Sequence, residues 1–431
     1  MSSADEANGA PEAPSITYTA IADSELITGE VRLRISDNSL SVTGLFEATE
    51  ISFIEIQALK LVDYTVVIET DSGPFRFSRM GEWCQRFYDE ICAYYNTLVS
   101  KSLFISTSPI LTTNGTYHYS EWGTQIDGAA PIAVYDNCVA TLPPDLNARR
   151  VPLVFATGLT KGEFELTLSL ETGESYTWSR LGYDTDLFAD SIEAQIRTLR
   201  EKSLMAIHEI DPTLNASQAS QLSGLIPHGV AAPLSAIAGI APSLVSALED
   251  KIAQTCAAET YTAFKELSGS QHICVGFRKN DLKFGSQPGP SSMMAGLTQI
   301  LPGAAGEVFD AASEADEEKV DPYLMWMIVP SPNGQYAAVE FAFPNSATFI
   351  YRTNGNFELF ARALNRALEA IDFKREVIRL TDAELLKPEN ARYAMANRRT
   401  AALQFVRANF VTRVIHSSLE TWKQKLTQAW I

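Results

Sequence analysis

The strongest constraint on this chain is that it repeats itself. Phe75 to Gly81 read FRFSRMG and Tyr176 to Gly182 read YTWSRLG. Phe75, Phe77, Ser78, Arg79 and Gly81 thus recur 101 positions later as Tyr176, Trp178, Ser179, Arg180 and Gly182. The same offset continues through Phe87 and Phe188, Ile91 and Ile192, and Leu98 and Leu199. It closes on Lys101-Ser102-Leu103 and Lys202-Ser203-Leu204. One offset held across aromatic, small and charged positions marks a duplicated structural unit.

Upstream of each copy the hydrophobic period is two. Tyr64, Val66 and Ile68 alternate with polar or outward positions, and so do Phe164, Leu166, Leu168 and Leu170. This is the pattern of a half-buried strand. The turn residues Asp71-Ser72-Gly73 and Thr172-Gly173-Glu174 follow, and then the aromatic strand, which together predict a β-hairpin. Downstream the period becomes helical: Trp83, Phe87, Ile91, Tyr94 and Leu98 in one copy, Phe188, Ile192, Ile196 and Leu199 in the other. Each unit therefore closes with an amphipathic helix that has to bury its stripe on a sheet. Earlier strands in the first unit are expected at Val31-Leu33-Ile35, Leu40-Val42 and Ile51 to Ile56.

A fainter third copy follows. Pro322 to Pro330 (PYLMWMIVP) and Gln335 to Phe343 (QYAAVEFAF) flank the turn Ser331-Pro332-Asn333-Gly334. Phe349, Tyr351 and Arg352 echo the aromatic strand with its arginine, and Phe357, Phe360, Leu364, Leu368 and Ile371 echo the helix.

Several antiparallel strands, a last hairpin and one C-terminal helix in about 90–100 residues resemble the pleckstrin-homology-like (PH-like) fold. The fold class expected is α+β, with PH-like units at 15–104, 105–205 and 269–380. Residues 1–14 are expected to be a solvated leader without a secretory signal. A helical connector, 206–268, is expected to end in a helix from Glu249 to Leu267. The third unit is interrupted at 285–321 by a Gly/Pro-rich, acidic insertion. Inside it, Met293, Leu297, Ile300 and Leu301 share one face of a short helix, either docked on its own domain or offered to a groove on a partner. The last segment, 381–431, reads as helix after Pro388, with Leu403, Val406, Phe410, Val414 and Trp422 as its apolar face. From Asp372 onward eleven Lys or Arg stand against six Asp or Glu, in a chain of net charge −18. A basic helix lying on its own acidic body follows, with Arg398, Arg399, Arg407 and Arg413 adding steering more than stability; a helix that seeks an anionic surface is the alternative.

Composition narrows the function. The chain has 431 residues, of which 46% are apolar and 20% charged, an ordinary globular balance. Its acidity excludes general nucleic-acid binding. Five scattered cysteines are too few for a disulfide framework and suit a reducing cytosol. The proline-broken run Pro212 to Leu248 is too polar to span a membrane. No phosphate loop or nucleophile elbow occurs. The five histidines are dispersed, and His272-Ile273-Cys274 alone does not make a metal site. No cofactor, metal or catalytic residue is expected.

The resemblance then implies a cytoplasmic, non-catalytic scaffold that recognises a protein or peptide partner. A phosphoinositide-associated module and a histone-chaperone-like binder of basic proteins are the alternatives. Arg79 and Arg180 are the candidate binding residues, either as ligand contacts or as stems packed on the aromatic strand.

Overall fold

A computed structural model describes residues 16–269, 272–279, 323–342, 347–374 and 376–430. The 1–14 leader and the 285–321 insertion, with Met293, Leu297, Ile300 and Leu301, lie outside the described residues. The chain is a mixed α+β structure with three antiparallel sheets. Among the described residues no helix is long and apolar enough to cross a membrane.

The first sheet contains β1 (Thr17–Asp23), β2 (Thr28–Ile35), β3 (Ser39–Thr43), β4 (Ala48–Ser52), β5 (Ile56–Val62), β6 (Thr65–Thr70) and β7 (Gly73–Ser78), and is followed by the helix Trp83–Ser102. The second contains β8 (Leu111–Glu121), β9 (Thr124–Val134), β10 (Cys138–Thr141), β11 (Arg149–Pro152), β12 (Ala156–Lys161), β13 (Glu165–Leu170) and β14 (Ser175–Ser179), followed by the helix Thr185–Ile210. Their strand orders are β4-β3-β2-β1-β7-β6-β5 and β11-β10-β9-β8-β14-β13-β12, the same path twice.

The duplication extends to packing. Phe77 lies edge-on to Phe87 of its closing helix at 6.4 Å, and Trp178 lies edge-on to Phe188 at 5.8 Å. Phe75 stacks on Phe77 with planes 14° apart, and Tyr176 on Trp178 with planes 16° apart. All four helix-facing rings, Phe77, Phe87, Trp178 and Phe188, are fully buried. The joint from strand to helix is also the same. Arg79 and Gly81 both take φ 59°, and Arg180 and Gly182 take 58° and 63°. Two left-handed residues separated by one other turn the chain from the end of an interior strand towards the closing helix.

The third sheet departs from the repeat, which corrects the expected third copy. Its strands are β15 (Ala232–Pro233), β16 (Cys274–Lys279), β17 (Tyr323–Pro330), β18 (Tyr336–Phe341), β19 (Ala347–Arg352) and β20 (Phe410–Ile415), ordered in plain succession with no return of the first strand to the last. The expected hairpin and the helix Phe357–Ala370 are present, but this sheet is covered on both faces. Phe277, Met325, Met327 and Val329 pack with connector residues such as Leu244, Ile252 and Phe264. Trp326, Ile328, Phe341 and Tyr351 pack with Phe360, Leu364 and Leu368. Gly276 is required here, because a Cβ at that position would come within 2.4 Å of the Trp326 ring.

Two helical expectations are also corrected. Glu249 to Leu267 is not continuous: the connector runs Ala216–Leu225, Leu234–Ile240, Pro242–Ala253 and Ala258–Ser268, with a break at Gln254–Ala257. The helix Thr185–Ile210 runs across the 205/206 boundary and places Ile207 and Ile210 in the third sheet's core. In the C-terminal segment, Phe410–Ile415 is a strand that pairs with β19 and forms the edge of the sheet. Its β-branched residues suit a pleated surface better than a helix. The supposed single apolar face is therefore divided. Leu403 and Val406, on the helix Ala401–Ala408, cover one side of the sheet, whereas Val414 and Trp422, the latter on the helix Leu419–Ala429, belong to the other.

The C-terminal arginines hold specific positions, which corrects their assignment to steering. Arg398 donates to Ile54 O at 2.6 Å and to both Asp71 carboxylate oxygens at 2.9 and 3.0 Å. Arg399 is buried and donates to Tyr95 Oη at 2.5 Å and Asp145 O at 3.2 Å. Arg407 donates to Val377 O at 2.6 Å and to Asp382 at 2.9 Å. Arg413 alone of the four is exposed on its strand with no bond among the described residues.

Candidate functional site: two matching tips and a junction cavity

The register of each aromatic hairpin fixes what stands at its end. Val66 faces Phe77, so the antiparallel count places Tyr64 across from Arg79. Leu166 faces Trp178, which places Phe164 across from Arg180. Both arginines are exposed. Tyr64 is 84% exposed and Phe164 73%. A second aromatic residue stands at each helix entry: Trp83, half exposed beneath the Arg86 guanidinium at 5.2 Å, and Tyr183, fully exposed. Each unit thus ends in an aromatic–arginine–aromatic tip.

Backbone strain falls on both arginines and, in the first tip, on the turn that carries its aromatic residue. Asp63 and Tyr64 form a two-residue turn with φ of 47° and 57°. Left-handed φ is unfavourable for bulky residues and for arginine, and such strain gathers at functional positions. Among the described residues neither Arg79 nor Arg180 has a hydrogen bond or ion pair. Exposed Tyr, Trp and Arg are also the residues that dominate protein interfaces. The arginines emerge from the repeat in the sequence. Tyr64 and Phe164 do not, because one residue added in the unit-two hairpin turn makes their offset 100 instead of 101.

A second feature lies where unit two, the connector and the third sheet meet. It is a cavity of about 850 Å³ with mainly apolar walls that include Leu225, Val230, Leu267 and Phe357. Glu171, Glu358 and Arg362 supply charge. Burial pushes the Glu171 carboxyl up to about 6, and the Arg362 charge partly offsets that rise. Cys274 on the same wall is a poor nucleophile: burial, reinforced by Glu358, pushes its thiol up to about 12. Asn365 closes the floor by bonding both the N–H and C=O of Ala231 at 3.0 Å.

Beside the cavity runs a buried ionic network between unit two and the third sheet. Arg366 donates to Glu174 at 3.2 Å, to Glu369 at 3.3 Å and to Arg150 O at 3.2 Å. Arg150 bonds Glu369, and Arg149 bonds Glu121 at 2.8 Å. Three arginines face three glutamates, so the cluster is neutral. No family model matches this chain, and no curated protein is significantly similar to it.

Proposed function

We propose that this chain is a non-catalytic scaffold whose first two units are PH-like modules, and that their matching tips engage a protein partner. The repeated strand order and closing helix support the PH-like assignment. The functional proposal is carried by one observation: an exposed aromatic residue across from an exposed arginine with left-handed φ, Tyr64 with Arg79 and Phe164 with Arg180, stands at the same place in both units. Core packing explains Phe77 and Trp178; it does not explain large aromatic side chains held in water beside arginines without partners.

A photo-crosslinking amino acid placed at Tyr64, Phe164 or Leu45 tests this in the native cell, Leu45 being an equally exposed control on another turn. The expected result is one common adduct from Tyr64 and Phe164, absent from Leu45 and reduced by Arg79→Ala with Arg180→Ala. Adducts equally strong from Leu45, or none shared by the two tips, would refute the proposal.

A further inference from the structure

Asp71 and Glu171 occupy the same position in the two units. Each follows the sixth strand of its sheet. Each donates its backbone N–H to the residue before the preceding strand, Asp71 to Glu55 O at 3.1 Å and Glu171 to Phe155 O at 2.9 Å. The preceding strands carry the same irregularity, between Ile56 and Ala58 and between Ala156 and Gly158. Only the partners differ. Asp71 receives the Arg398 guanidinium through two bonds, at 2.9 and 3.0 Å. The Glu171 carboxylate has no hydrogen bond or ion pair among the described residues, and Glu171 lines the 850 Å³ cavity.

We infer that this cavity binds a guanidinium or ammonium group on an aliphatic stem, with Glu171 receiving the cation as Asp71 receives Arg398. The charge at the site favours a cation, since Glu171 and Glu358 stand against Arg362. Arg362 acts on Glu171 through its field but does not bond it. Partial burial raises the cost of the Glu171 charge, and an arriving cation would relieve that cost. The apolar walls suit the stem and its neighbours. The volume far exceeds one guanidinium, so an arginine within a peptide fits it better than a free amine. This site is separate from the tips and does not rest on their proposed role.

The test is calorimetric titration of the full chain at pH 7.5. The probes are an acetyl-Leu-Arg-Leu-amide peptide, its Gln counterpart, and agmatine, which carries a guanidinium on a four-carbon stem. Variants Glu171→Gln and Arg362→Met are compared after circular dichroism confirms folding. The Arg peptide is expected to bind, with Glu171→Gln weakening it at least tenfold and Arg362→Met leaving it equal or tighter. Binding of agmatine as tightly as the peptide would identify a small amine as the ligand source; binding of the peptide alone would identify a protein segment. Affinity is expected to fall tenfold per pH unit below about 6, as Glu171 protonates. His272, Cys274, Glu358 and Arg362 also face the cavity, and Arg200 on the unit-two helix lines a neighbouring cavity that Glu171 also borders. The Glu171→Gln variant therefore has to lose this pH dependence. Absence of binding by both cations, equal binding of the Gln peptide, or binding unaffected by Glu171→Gln would overturn the inference. So would Arg362→Met weakening the peptide as strongly as Glu171→Gln.

Discussion

Arg366→Met probes the joint between unit two and the third sheet. The side chain is 4% exposed, and so is its partner Glu174. Burial works against the Arg366 charge, but Glu174, Tyr176 and Glu369 outweigh it and hold the guanidinium above its ordinary value. Removing it turns a neutral cluster into one with an excess carboxylate. Breaking one side of a buried ion pair costs about 3–5 kcal/mol. Glu174 would keep its bonds from Trp122 at 3.2 Å and Thr172 at 2.8 Å, and Glu369 would keep Arg150. The lower end, about 3 kcal/mol, is therefore expected. Glu174→Gln in the same chain removes the stranded charge and should recover a substantial part of the loss, a coupling of about 1–2 kcal/mol. Urea unfolding followed by tryptophan fluorescence measures both. A loss below about 1 kcal/mol for Arg366→Met, or strict additivity in the double variant, would show that the cluster does not hold the joint as argued.

Three further outcomes are expected. Arg79→Gly and Arg180→Gly should leave stability unchanged or raise it by up to about 1 kcal/mol each, since glycine accepts the left-handed φ, while tip crosslinking falls. A clear loss of melting temperature would mean that the arginines are structural. His416 Nε2 lies 3.2 Å from the buried Glu340 carboxylate, which raises its pKa against the opposing effect of burial. Its stabilising contribution is full below the unfolded value of 6.5 and is lost as pH rises through the raised folded value; His416→Gln should flatten that stretch of the stability–pH curve. Met395, although it belongs to the C-terminal segment, is buried in the core of unit one, so Met395→Ala should cost about 2–5 kcal/mol and speed hydrogen exchange along Trp83–Ser102.

The first two units were legible because their sheets are half-buried. Alternation then marks the strands, and the matched rings of Phe77 and Trp178 mark the helix that covers them. The third sheet was misread because its local elements mimic the repeat. The contrary signal was the unbroken run PYLMWMIVP, which suits a strand covered on both faces. Phe410–Ile415 failed for a different reason. Leu403, Val406, Phe410 and Val414 satisfy helical spacing, and the strand that recruits this segment lies far away in sequence. The equivalence of Asp71 and Glu171 was hidden as well: the 101-residue offset sets Asp71 against Thr172, and only the strand register and the Arg398 contact bring the two carboxylates into comparison.

The strand Phe410–Ile415 also determines when the protein can finish folding. Units one and two draw their strands and closing helices from continuous stretches, so each sheet can form early, although unit one's core is complete only once Met395 has joined it. The third sheet cannot. One side of β19 stays unpaired, and the pocket for Trp422 stays empty, until residues 410–429 have been made. Between the emergence of β19 and that of Phe410–Ile415 the nascent chain therefore carries an open sheet edge, the kind of surface that pairs with other chains. Termination before Phe410 would release a molecule with two formed sheets and one adhesive edge, which makes the strand Phe410–Ile415 a guard against edge-to-edge association.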